Sequence, residues 1–145
     1  MSLSPAVPFT HWRMENSGGA SGWSQTTTRV SGLVRLEDDG VVLQYRVSES
    51  VTRPGSMGPE TSESEVREHR VPLAALRSAR VAGGWWWPRL VLAAADLRAF
   101  DGFPVPRKSG EALSLRIALA HRADAADLAS SVELALANRL YLPAV

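Results

Sequence analysis

From Thr26 to Ser48 the chain alternates apolar or small residues with polar ones on both sides of an Asp-Asp-Gly interruption. Successive side chains of an extended strand point to opposite faces. Thr26, Thr28, Val30, Gly32, Val34 and Leu36 therefore share one face, with Arg29, Ser31, Arg35 and Glu37 on the other. After Asp38, Asp39 and Gly40 the alternation resumes, Val41, Leu43, Tyr45 and Val47 against Val42, Gln44, Arg46 and Ser48. An acidic pair followed by glycine predicts a tight hairpin, the glycine supplying a positive backbone torsion. The two strands are then antiparallel, and each is half-buried.

The same pattern predicts further strands. Phe9 to Glu15 places Phe9, His11 and Arg13 opposite Thr10, Trp12 and Met14, and a glycine-rich connector, Asn16 to Ser24, follows. Glu49 to Glu65, rich in Ser, Thr, Glu, Pro and Gly, is expected as a mobile surface loop. Val66 to Val71 suits an edge strand, ended by Pro72, which cannot donate to a ladder. Leu73 to Leu76 forms one helical turn. Ser78 to Ala82 and Arg89 to Leu97 make a second hairpin whose tip is Gly83-Gly84-Trp85-Trp86-Trp87-Pro88. Asp101 to Gly110 is loop, and Leu113, Leu115, Ile117 and Leu119 mark another strand. The period then changes. Ala125, Leu128, Ala129, Val132, Ala135 and Leu136 follow helical spacing, with Asp124 as N-cap and Asp127 in the first turn. The class is mainly β with one C-terminal α-helix.

The 145 residues fit a single domain, 1–145, with its core at about 8–140. There is no cysteine, which excludes disulfides, thiolate metal sites and a thiol nucleophile. No run of apolar residues approaches a membrane span and the N-terminal residues lack the features of a signal peptide, so a cytoplasmic location is expected. Sixteen basic against fifteen acidic residues give a net charge of +1, which gives no general pull toward nucleic acid.

About seven antiparallel strands followed by one helix is an order that resembles the pleckstrin homology (PH)-like fold. The run Val71-Pro72-Leu73-Ala74-Ala75-Leu76-Arg77-Ser78-Ala79-Arg80-Val81 ahead of a tryptophan-bearing hairpin is similar to bacterial members of that family. So are Gly102-Phe103-Pro104, Leu113-Ser114-Leu115-Arg116 and the Ala- and Ser-rich helix after them. The resemblance implies a seven-stranded bent barrel or sandwich capped by the helix, and a binding or assembly module without catalysis. Lipid-binding members hold inositol phosphates with basic residues of the first hairpin loop. Here the corresponding stretch, Asn16 to Gln25, has no Lys or Arg, so neither phosphoinositide nor stable membrane binding is expected.

Catalytic signals are sparse. His11, His69 and His121 have no metal-ligand spacing, no GxSxG or phosphate loop occurs, and Asp38 and Asp39 are adjacent in a turn rather than paired across a cleft. No metal, cofactor or catalytic residue is assigned. Trp85, Trp86 and Trp87 are the unusual feature. Either Trp85 and Trp87 cover the mouth of the barrel with Trp86 outside, or the three form an interaction patch with Arg89 beside it to stack or pair. Leu134 falls off the helix's apolar stripe and marks a candidate self-association surface. The leading function is a non-catalytic module that binds a protein partner or itself. The alternatives are a carrier of an apolar small molecule, and a small hydrolase or isomerase built from Tyr45, the histidines and the carboxylates.

Overall fold

The computed structural model describes residues 5–19, 22–105 and 112–141. Its strands are β1 (Val7–Gly19), β2 (Gly22–Glu37), β3 (Gly40–Thr52), β4 (Glu60–Glu63), β5 (Arg67–Pro72), β6 (Leu76–Ala82), β7 (Arg89–Ala94) and β8 (Ala112–Arg116). Short 3-10 turns occupy Leu73–Ala75 and Leu119–His121, and helix α1 spans Arg122–Tyr141. All described strand pairs are antiparallel, in the order β4-β3-β2-β1-β8-β7-β6, with β5 also paired to β3. The sheet stays open between β6 and β5. The expected class, mainly β with one C-terminal helix, is the one observed, with eight described strands rather than seven. Among the described residues no helix is long and apolar enough to cross a membrane.

One face of the sheet is covered, and it is the face the alternation selects. Val7 and Phe9 of β1, Val30 and Val34 of β2, and Val41, Leu43 and Tyr45 of β3 are buried, as are Leu90, Leu92, Leu113 and Leu115. Against them lie Ala125, Leu128, Ala129 and Val132 of α1. The segment after β7 fills the remainder with Phe100, Phe103 and Val105. Phe103 meets Tyr45 edge-on at 5.0 Å between ring centroids and lies 6.1 Å from Phe9. This segment is irregular, as Asp101 to Gly110 was expected to be, yet its described part sends Phe103 and Val105 into the core while Asp101 and Gly102 stay exposed; residues 106–110 lie outside the described residues.

Several expectations are corrected. Within the expected connector Asn16 to Ser24, residues 16–19 and 22–24 are strand: β1 and β2 pair without interruption from Val7↔Val34 to Gly19↔Gly22, and residues 20–21 lie outside the described residues. The 49–65 stretch is strand at both 49–52 and 60–63, because β3 continues to Thr52 between β2 and β4, while residues 53–59 and 64–65 are irregular. Arg89 to Leu97 ends as strand at Ala94, and the last strand stops at Arg116, leaving Leu119 exposed in a 3-10 turn. The helix begins two residues before Asp124, which sits in the first turn instead of capping it, with His121 Nδ1 3.7 Å from its carboxylate.

Gly40 does not have a positive φ. A side chain there would collide with the Val71 carbonyl oxygen, so the glycine serves the close approach of β5 to β3. At the free edge of β6, Glu133 of α1 accepts a hydrogen bond from the Ala79 backbone N–H at 3.0 Å. That contact satisfies an edge donor which would otherwise be open to pairing.

Candidate functional site

The other face of the sheet has two halves that differ in chemistry. Over β2, β3 and β5 the chain covers itself. Arg35 donates to Glu37, Gln44 and Glu68 at 3.1–3.3 Å, and Arg70 donates to Glu37 at 2.8 Å and Glu68 at 3.1 Å. Val42, whose register partners are Arg35 and Arg70, is buried beneath this lattice although it points away from the core. The Arg70 hydrogen bond is the main reason the Glu37 carboxyl titrates below its ordinary range.

Along β1 nothing comparable lies on the outer face among the described residues. Thr10, Trp12 and Met14 share it, and the register sets Arg29 opposite Trp12 and Trp23 opposite Gly18. Trp12 is 54%, Met14 62% and Trp23 54% exposed. The Arg29 guanidinium lies 5.4 Å from the Trp12 ring centroid. Because β1 and β2 run past the core, their far ends carry polar residues on the covered side, Arg13 and Glu15 opposite Thr28 and Thr26, and the large apolar groups outside.

The tryptophan loop borders this stripe at its other end. Gly83 takes a φ of 91°, a left-handed conformation open to glycine, and the Trp87 N–H closes a turn on the Gly84 carbonyl at 3.2 Å. A turn sends its side chains outward, so Trp85, Trp86 and Trp87 are 67%, 67% and 61% exposed. This exposure runs against the reading in which Trp85 and Trp87 cover a barrel mouth with Trp86 outside, since the three are about equally exposed. Arg89, assigned to the patch to stack or pair, does not do so with Trp85. Arg122 at the start of α1 does, its guanidinium 4.9 Å from the ring centroid and Nη1 donating to the Trp85 carbonyl at 3.2 Å.

Arg89 instead stands opposite Arg116, the first register pair of β7 and β8, and Arg116 is in turn opposite Thr10. Trp86, Trp87, Pro8, Thr10, Arg116 and Leu119 help line an open hollow of about 250 Å³. Leu134 is 63% exposed, away from this surface, on the uncovered side of α1.

Sequence reading named the loop and missed its extension. Trp12, Met14, Trp23, Arg29 and Arg116 complete the face, and the signal for two of them was present, since alternation already placed Trp12 and Met14 opposite the buried Phe9. The residues considered for catalysis are dispersed into structural roles. Tyr45 is core, His69 Nε2 lies 2.8 Å from the Ala99 carbonyl oxygen, and His11 faces the covered side of β1. Burial, and secondarily Arg13, lowers the His11 pKa. Among the described residues no three His, Asp or Glu side chains gather as a metal site would require. Comparisons with family models, curated proteins and solved structures find no match to this chain.

Proposed function

We propose that this chain is a non-catalytic binding module of PH-like type, and that its binding surface is the outer face of β1 and β8 together with the tryptophan loop. The observation that carries the reading is the exposure of five tryptophans, Trp12, Trp23, Trp85, Trp86 and Trp87, four of them on or beside one sheet face. Tryptophan is among the side chains that most often carry interface energy, and contiguous apolar surface on a soluble domain marks an interaction site. An open antiparallel sheet packed on a C-terminal helix supports the PH-like reading.

A carrier of apolar molecules is less well supported, because Phe9, Phe100, Phe103, Leu128 and their neighbours occupy the space between sheet and helix. A hydrolase or isomerase finds no cluster in Tyr45, His11 and His69. The test is capture from native lysate on immobilised wild type and on a Trp85→Ser/Trp86→Ser/Trp87→Ser variant. Proteins retained by the first and lost from the second support the module; identical retention contradicts it.

A further inference from the structure

We infer that the outer face around Trp86, Trp87 and Arg116 docks an acidic protein segment, one that places a large apolar side chain next to a carboxylate. The inference rests on the binding reading above and names the chemistry of the partner.

Arg89 and Arg116 are direct cross-strand partners, so their side chains leave the sheet roughly 5 Å apart. Like charges in that position repel, and a carboxylate bound between them removes the repulsion while accepting charge-assisted hydrogen bonds from both. Among the described residues neither arginine has a carboxylate partner. The contrast with Arg35 and Arg70 on the same face is direct: those two are tied to Glu37 and Glu68. Where the chain covers its own face it neutralises its guanidinium groups, and beside the tryptophans it does not. Arg29, against Trp12, extends the uncompensated charge to the far side of β1.

Next to Arg116 the hollow of about 250 Å³, with two indole side chains, Pro8 and Leu119 in its lining, gives an apolar anchor a place to seat. Arginines and recess together ask for an apolar group and an anion on neighbouring residues, which an acidic peptide supplies. A second copy of the chain is a poor occupant, because twofold pairing sets this patch against itself and Arg against Arg. Nucleobases or a bilayer interface would also engage exposed indoles, but a net charge of +1 gives neither nucleic acid nor an anionic bilayer a long-range attraction.

The test is selection of a displayed random-peptide library on the wild-type protein, followed by titration of the best peptide, resynthesised. The expected consensus sets Asp or Glu beside Trp, Phe or Leu. Its peptide should bind Arg89→Glu and Arg116→Glu about tenfold or more weakly than wild type, with Arg139→Glu, in the last turn of α1, unchanged. A basic or uncharged consensus overturns the inference, as does equal affinity for the arginine variants. Tighter binding of oligothymidylate or phosphatidylserine vesicles through the same arginines also overturns it. Peptides that require Trp86 and Trp87 but ignore both arginines refute the acidic chemistry and leave the binding reading standing. An empty selection alongside tryptophan-dependent lysate capture separates the two in the same way.

Discussion

Leu128 and Leu134 lie six positions apart on one helix and have opposite fates, the first fully buried and the second 63% exposed. Leu128→Ala should cost about 2–5 kcal/mol, since it removes a core side chain that Phe100 and the sheet cannot replace. Leu134→Ala should stay within about 0.5 kcal/mol, and urea unfolding of both variants checks the pair. Both fates were legible, because helical spacing places Leu134 off the apolar stripe. The reason for Gly40 was not. A sequence reports that a glycine follows an acidic pair, but the approach of the Val71 carbonyl belongs to β5, some thirty residues on. Glu37 gives a pH prediction of definite sign. Arg70 and Arg35 hold its carboxyl below the usual value, so its contribution is present above the unfolded-state pKa and is lost as pH falls through the depressed folded value. The protection factor of the Val42 amide, referenced to the intrinsic exchange rate at each pH, should fall as the pH drops through that range, and Glu37→Gln should remove that pH dependence.

At the scale of elements, alternation located the strands and composition misjudged their ends. Asn16 to Ser24 and Glu49 to Glu65 contain the Gly, Ser, Thr and Glu that usually mean loop. Residues 16–19, 22–24, 49–52 and 60–63 are strand because neighbours hold them: β1 continues against β2, and β3 is sandwiched between β2 and β4. A local rule cannot register a ladder whose other half is elsewhere in the chain. Hydrogen exchange should therefore separate Ser50 and Val51, paired on both sides, from Gly55 and Ser56 in the irregular stretch. Protected amides in the first pair and fast exchange in the second are expected; equally fast exchange in both would return 49–65 to a loop. The tryptophan loop was legible as a hairpin tip from its glycines, but which indoles it exposes was not, because that depends on the turn the Trp87 N–H closes on the Gly84 carbonyl.

The molecule as a whole is a sheet with one face spent on folding and part of the other left open. Its core was largely readable from alternation and helical spacing. The candidate surface was only half readable, since Trp12, Trp86 and Arg116 come together through the β1–β8 and β7–β8 pairings. Charge on that surface disfavours twofold self-pairing through it, so sedimentation of wild type and Trp86→Glu should superimpose at micromolar concentration. A dimer lost in Trp86→Glu would reverse that conclusion, and one lost only in Leu134→Glu would assign pairing to α1. The central claim is that binding occurs on the open face and not inside the fold. It is tested most directly by the amide and indole NMR footprint of a ligand captured by the wild-type protein. The account predicts shifts concentrated at Thr10, Trp12, Trp86, Trp87 and Arg116, with Tyr45, Phe103 and Leu128 unmoved. Shifts centred on those three interior residues would contradict it and make the chain a carrier.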